Sequence, residues 1–219
     1  MSRIHVYFMP GMAASSLIFE RIKMPEDTFE SHLLDWIIPN KNDTLQEYAK
    51  KMAEKVTHQN VVLIGVSFGG ILVQEMAHFL SVKKVIIISS VKSNTELPSR
   101  MKIAKSTKAY KLLPTSMAQK IEVLSKFAFG SIIKQRLILY EKYMCMRDKT
   151  YLDWSIEQII NWNQITPDSN LVHIHGDADE VFPIKNIKNV IEIKGGTHLM
   201  ILNRFRWFNI HLPEIILKK

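Results

Sequence analysis

The chain has 219 residues, of which 47% are hydrophobic, so it is long enough for one well-buried core and short for two. A formal net charge of +8 raises nucleic acid or an anionic surface as a partner, but there is no zinc-ligand spacing, RNA-binding aromatic motif or GxxxxGK phosphate loop. No apolar run approaches the roughly 18 residues of a membrane span. We therefore expect a single domain over residues 1–219, with no nucleic acid partner and no membrane span.

The single cysteine, Cys145, excludes a disulfide within the chain, so a reducing compartment is the simplest environment. The N-terminus is faintly signal-like, since Arg3 precedes an apolar stretch, but that stretch is short and is interrupted by His5 and Pro10. A cytoplasmic location is therefore expected. Because no glycine-rich elbow surrounds Cys145, we interpret its thiol as buried or idle.

Strand-like and helix-like segments alternate along the chain. In order, the pattern predicts strands at Ile4–Met9, Leu33–Ile38, Val61–Ile64, Val85–Ser89, Leu171–Ile174 and Val190–Ile193. Helices are predicted near Ser16–Ile22, after a start at Asp43, over Gly70–Leu80 and from about Asn203. This alternation indicates a parallel sheet with helices on both faces.

Residues 65–70 read GVSFGG and place Ser67 at a corner between a buried strand and a helix. Glycines two residues before and two residues after the serine remove β-carbons that would collide in so sharp a turn. The hydroxyl would then be exposed at the carboxyl end of a strand. A serine becomes a nucleophile only when a base takes its proton and a third group orients that base. An ordinary serine at a glycine-rich turn is the alternative.

A base and an acid that act with Ser67 are expected at the ends of other strands, because a parallel sheet binds its ligands at the carboxyl ends of its strands. Two predicted strands are followed by HGDADEVFP (residues 175–183) and by KGGTHLM (residues 194–200). These two segments supply carboxylates and a histidine.

Together the three motifs resemble those of the α/β-hydrolase family, whose nucleophile elbow, HGxxDxxxP acid loop and G-x-x-H histidine loop follow in the same order. The resemblance covers the chain except about residues 95–165. It implies that Ser67 is the nucleophile, His198 the general base and then acid, and Asp179 the carboxylate that orients His198. Asp177 and Glu180 remain alternative acids, and His175 is expected to shape the loop.

Acyl transfer builds negative charge on a carbonyl oxygen, so the family resemblance also implies two backbone N–H donors. One is the N–H of Phe68, directly after the nucleophile. The other is the N–H of Met12 in the loop MPGMAAS, where Pro10 replaces the histidine often found in the family. Backbone donors do not depend on the identity of the side chain.

Two departures from the family pattern are expected. The sheet should have about six strands, all parallel, without the first two strands of the family. Residues 95–165 fall where the family inserts a helical lid, whose aromatic side chains either line an acyl pocket or pack the lid onto the sheet; these are Phe127, Phe129, Tyr140, Tyr143, Trp154 and Trp162. We interpret Lys102, Lys105 and Lys108 as a solvated face, with attraction of an anionic substrate or membrane as the alternative.

The expected function is that of a serine hydrolase that cleaves small carboxylic esters or thioesters through an acyl-enzyme, without cofactor or metal. A lyase or acyltransferase with the same triad is an alternative, as is a ligand receptor or inactive relative on the same fold. The other histidines are interpreted as surface or structural residues: His5, His32, His58, His78, His173 and His211.

Overall fold

The structure of the protein is a computed structural model that describes residues 3–40, 42–113, 115, 142–166 and 170–218. Its strands are β1 (Ile4–Met9), β2 (Phe29–Leu33), β3 (Val61–Val66), β4 (Val82–Ile88), β5 (Leu171–Gly176) and β6 (Ile191–Ile193). They form one sheet in the order β2-β1-β3-β4-β5-β6, and every neighbouring pair is parallel. The prediction of about six parallel strands is confirmed in this part of the chain.

Helices cover both faces of the sheet. They are α1 (Leu45–Ala53), α2 (Phe68–Ala77), α3 (Ser99–Thr107), α4 (Lys149–Asn161), α5 (Met200–Asn203) and α6 (Phe205–Leu217). One apolar core lies between the sheet and α1, α2 and α4, and a second lies between the sheet and α6. In the described ranges, no helix combines the length and the apolar character needed to cross a membrane.

The second strand lies earlier than predicted. Leu33–Ile38 was predicted as the strand, but β2 is Phe29–Leu33 and pairs in register with β1. The apolar run that misled the prediction belongs to the following loop, in which Leu34 and Trp36 are buried. Strand β2 reads FESHL, with three polar residues in its centre and with Ser31 and Leu33 exposed, so it lacks the apolar run that the prediction relied on.

The first helix also begins one residue later than predicted. Its N-cap is Thr44 and not Asp43, because the backbone N–H of Glu47 donates to the Thr44 hydroxyl at 3.2 Å and the Glu47 carboxylate accepts from the Thr44 N–H at 2.8 Å. Asp43 instead forms an ion pair with Lys51 at 2.7 Å.

The remaining elements agree with the predictions except at their ends. Helix α2 begins at Phe68, directly after the serine corner, and the helix predicted near Ser16–Ile22 is a short 3₁₀ turn at Ser16–Phe19. The C-terminal helix is divided into α5 and α6.

The Cys145 thiol is exposed, so its interpretation as a buried group is wrong.

The chain between β4 and β5 includes α3 and α4, and part of it lies outside the described residues together with Phe127, Phe129 and Tyr140. The three described aromatic residues, Tyr143, Trp154 and Trp162, are buried. The Trp154 indole donates to the Asp43 carbonyl and the Trp162 indole to the Glu75 carboxylate, each at 2.7 Å. These contacts pack the segment onto α1 and α2.

Helix α3 and its C-cap carry the lysines that were expected to form a solvated face. The helix has no buried residue, and the side chains of Lys102, Lys105 and Lys108 are exposed. The Lys102 ammonium donates to the Thr95 carbonyl at 2.8 Å. Exposure of this kind is what a solvated face requires.

Candidate active site

The backbone turns sharply at Ser67, between β3 and α2. Ser67 has φ 53° and ψ −122°, a conformation that L-residues rarely adopt. A β-carbon on Gly65 would lie 2.2 Å from the Gly69 carbonyl oxygen, and one on Gly69 would lie 2.3 Å from the Pro10 carbonyl oxygen. The two glycines of the motif are therefore required by close approaches of backbone to backbone.

Hydrogen bonds from β4 and the residues after it hold the corner in place. The Ser67 N–H donates to the Ile88 carbonyl at 2.9 Å, and the Ser90 hydroxyl donates to the Ser67 carbonyl at 2.7 Å. Both the N–H and the carbonyl of Ser67 are thus hydrogen-bonded to residues at the end of β4 or just after it.

The structure brings Ser67, His198 and Asp179 together at the carboxyl edge of the sheet. His198 Nε2 lies 2.9 Å from Ser67 Oγ, and His198 Nδ1 lies 2.9 Å from Asp179 Oδ2. With the ring proton on Nδ1 directed at the carboxylate, Nε2 is the nitrogen that accepts a hydrogen bond from the Ser67 hydroxyl. The His198 side chain is 12% exposed, whereas that of Asp179 is fully buried.

The Asp179 side chain is fully buried, but it is well provided with hydrogen-bond donors. Besides His198, its Oδ1 accepts from the backbone N–H groups of Val181 at 2.8 Å and Phe182 at 3.0 Å. Burial raises the pKa of this carboxyl, but the charge of His198 and these hydrogen bonds outweigh burial, and the net effect is a lowered pKa. Asp179 is accordingly ionised at neutral pH.

The two alternative acids lie in other environments. Asp177 accepts the N–H of Gly195 at 2.6 Å and so connects the loop after β5 to the loop after β6. The Glu180 side chain is exposed, and its backbone carbonyl accepts from the Arg100 guanidinium at 2.9 Å. Of the three carboxylates, Asp179 is the one within hydrogen-bonding distance of His198.

Two buried histidines support the loop that carries Asp179. His175 Nε2 donates to the Phe182 carbonyl at 2.8 Å, which leaves Nδ1 to accept from His173 Nε2 at 3.1 Å. Burial lowers the pKa of both rings, to about 2 for His173. Both are neutral at pH 7, and His175 has the loop-shaping position that the motif suggested.

The two expected backbone donors lie beside Ser67. Phe68 is the first residue of α2, so its N–H has no partner within the helix. The loop after β1 passes so close that a β-carbon on Gly11 would lie 3.3 Å from Ser67 Cβ. Among the described residues, the N–H groups of Met12 and Phe68 donate to no other group, so both are free for a ligand.

The loop that carries Met12 is fixed on both sides of that residue. The Trp36 indole donates to the Gly11 carbonyl at 2.9 Å, and the Met146 N–H donates to the Ala13 carbonyl at 3.0 Å. The Ala13 N–H donates to the Tyr151 hydroxyl at 3.4 Å. Sequence reasoning missed these supports because they come from distant segments and carry no local motif.

Side chains that could hold a metal ion gather elsewhere. In the described part of the chain, the one such group is on β1, β2 and the loop before β3.

This fold and this hydrogen-bonded series place the protein in the α/β-hydrolase class. The sequence profile of the family described as "BAAT / Acyl-CoA thioester hydrolase C terminal" matches residues 47–194, more than half of the chain. The chain therefore belongs to that family. No curated protein sequence matches it significantly.

Solved structures share the fold at low sequence identity. An esterase from Exiguobacterium antarcticum has a TM-score of 0.72 and 16% identity, over 99% of this chain and 93% of its own. A bromoperoxidase from Bacillus anthracis has a TM-score of 0.68 and 16% identity, over 99% and 93%. The RedJ thioesterase of prodiginine biosynthesis in Streptomyces coelicolor has a TM-score of 0.64 and 14% identity, over 97% and 90%. These likenesses confirm the expected α/β-hydrolase fold.

The buried neutral state of His173 predicts a loss of stability in acid. Below a pH of about 6.5 the unfolded chain binds a proton at this ring, whereas the folded chain does not. The free energy of unfolding therefore decreases as the pH is lowered. Between pH 7.0 and 5.5 this one group contributes a loss on the order of 1 kcal/mol. His173→Gln, which retains an N–H donor, should reduce the difference between urea unfolding free energies at the two pH values by that amount. An unchanged difference would contradict this assignment.

Proposed function

We propose that the protein is a serine hydrolase that cleaves carboxylic esters or thioesters through an acyl-enzyme on Ser67. The observation that carries the proposal is the continuous hydrogen-bonded series from Ser67 Oγ through His198 to Asp179, with both key distances at 2.9 Å. This series supplies a nucleophile, a base and the group that orients the base.

In the acylation step, His198 Nε2 takes the hydroxyl proton as Ser67 Oγ attacks the substrate carbonyl carbon. The developing oxyanion accepts hydrogen bonds from the N–H groups of Met12 and Phe68. Asp179 stabilises the imidazolium. His198 then gives its proton to the alcohol or thiol leaving group, and the carbon–oxygen or carbon–sulfur bond breaks to leave an ester on Ser67.

Deacylation repeats these steps with water as the nucleophile. His198 takes a proton from water as the water oxygen attacks the ester carbonyl, and the same two N–H groups donate hydrogen bonds to the oxyanion. The proton returns to Ser67 Oγ as the acid product leaves. Every proton and electron pair is accounted for by the chain, the substrate and water, so the proposed chemistry needs no cofactor.

A thioester substrate is supported by the description of the family, which names acyl-CoA thioester hydrolases. An ester is supported by the names of structural neighbours such as the Exiguobacterium enzyme. In this proposal the segment at about residues 95–165 acts as the lid, and its exposed lysines remain in solvent. A chain whose one thiol has no cysteine partner suits the cytoplasm.

Replacement of the nucleophile tests the proposal directly. Ser67→Ala should lower kcat for a p-nitrophenyl ester and for an acyl-CoA by about four orders of magnitude or more, because it removes the atom that attacks. It should also abolish labelling by a fluorophosphonate probe. Cys145→Ser is the matched control and should retain both properties, since that thiol lies outside the site. Wild-type protein that binds small apolar ligands but turns over neither substrate would favour the receptor alternative.

The acid assignment predicts unequal losses from two equal substitutions. Asp179→Asn should reduce kcat by about three to four orders of magnitude, because an amide no longer fixes the His198 tautomer or stabilises the imidazolium. Asp177→Asn should retain most activity, since an amide oxygen still accepts the Gly195 N–H. The pair is compared in kcat on one ester with circular dichroism as a fold control. A reversed order would transfer the role to Asp177.

Trp36 is predicted to act as a positioning residue for the Met12 N–H. Trp36→Phe keeps the aromatic packing but removes the hydrogen bond to the Gly11 carbonyl, and should lower kcat about tenfold with little change in KM. Such a split is expected because the oxyanion forms only in the transition state. If Trp36→Phe lowers the free energy of unfolding but leaves kcat unchanged, the hydrogen bond contributes to stability and not to positioning.

A further inference from the structure

Three histidines and a glutamate from separate segments converge at the β2 side of the sheet. They are His5 on β1, Glu30 and His32 on β2, and His58 in the loop before β3, and one ligand atom from each lies within 4.8 Å of the others. We call these four residues the histidine cluster. None of them belongs to the Ser67 site.

The register of the two parallel strands creates this arrangement. His5 is paired with Glu30 and Tyr7 with His32, and side chains two residues apart point to the same face. The His58 ring then stacks on both histidine rings, with centroids 4.0 Å from His5 and 4.5 Å from His32.

The distances within the cluster suit a tetrahedral ion. His5 Nδ1 lies 3.0 Å from His32 Nε2, and the Glu30 carboxylate oxygens lie 3.9 Å and 3.8 Å from these two nitrogens. Zinc bonds of about 2.0–2.1 Å place neighbouring ligand atoms roughly 3.3 Å apart. Rotation of the rings must still direct their lone pairs to one point, because the His5 and His58 planes differ by only 9°. Their partial exposure leaves room for that rotation.

Neighbouring side chains already orient two of the ligands. The Tyr7 hydroxyl lies 2.6 Å from His58 Nδ1, which leaves Nε2 as the ring nitrogen available to a metal. Arg3 holds one oxygen of Glu30 at 2.8 Å. His58 is exposed, so an ion can enter from solvent.

We propose that the histidine cluster is a Zn²⁺ site, with His5, Glu30, His32 and His58 as its ligands. Imidazole with carboxylate is a donor set that suits zinc, and four protein ligands leave no open position for substrate, as in structural sites. The ion ties the edge strand β2 to β1 and to the loop before β3. His5 is paired with Val61 at the start of β3, whereas Ser67 follows the end of that strand, so the site is separate from the proposed catalytic one.

The test uses the full chain without an affinity tag, dialysed against a chelator and then titrated with ZnCl₂. One equivalent of zinc should bind, measured by calorimetry and by metal analysis after dialysis, and should raise the thermal unfolding midpoint. Co²⁺ in its place should give the intense visible bands of a tetrahedral complex. The Ser67→Ala variant should behave identically, and zinc should leave ester turnover unchanged, so the two proposals fail independently.

Two ligand variants and two controls locate the site. His32→Gln and His58→Gln should each weaken zinc binding by more than about tenfold and remove the rise in unfolding midpoint. His58 is exposed, so its variant should fold normally, as the unfolding midpoint without zinc will show. His211→Gln, at a partly exposed histidine paired with Glu214, and Cys145→Ser should bind zinc like wild type. Absence of stoichiometric binding, binding that survives both ligand variants, or binding lost in either control would overturn the proposal.

Discussion

The strained peptide at Ser67 is the constraint on which the rest of the site depends. A positive φ at a non-glycine residue costs about 1–3 kcal/mol, so it persists only where the surrounding structure enforces it. Here Ile88 at the end of β4 accepts from the Ser67 N–H, and Ser90 just after that strand donates to the Ser67 carbonyl. Gly65 and Gly69 allow the backbone to approach closely on either side. The result is a side chain that points out of the sheet edge and an N–H at Phe68 that helix α2 leaves free.

The parallel register then brings the other groups to the same edge. Because β3, β5 and β6 run in the same direction, their following loops lie at the same edge of the sheet, although the residues come from positions 67, 179 and 198 of the chain. The loop after β5 is the most elaborate of these. Its acidic group is buried and ionised, two neutral histidines lie beneath it, and Asp177 connects it to the loop after β6. Rigidity at this edge thus comes from connected hydrogen bonds that link Asp179, His175 and Asp177 to the backbone around them.

The sequence predicts structure and site residues best where the role of a residue depends on its immediate neighbours in the chain. The buried strands β1 and β3, the glycine-flanked serine and the Asp179 and His198 loops could all be identified from short motifs, and the structure brings those three residues together. Strand β2 was misplaced because Leu34 and Trp36 are buried by loop packing, which has no distinct local pattern. The supports from Trp36, Met146 and Tyr151 and the convergence of His5, His32 and His58 depend on register between distant segments, so neither could be predicted.

The hydrogen bonds around the loop that carries Met12 have a consequence for how such a protein can diversify. Three residues between β4 and β5 bind the backbone of that loop: Met146 and Tyr151 bind Ala13, and the Tyr143 carbonyl accepts from the Ser15 N–H at 2.8 Å. A segment in this position is often regarded as an interchangeable module that alters which molecules fit. In this chain its exchange would also remove three partners of the backbone beside Ser67. Evolution or engineering of this segment is therefore restricted to replacements that preserve those few anchoring atoms.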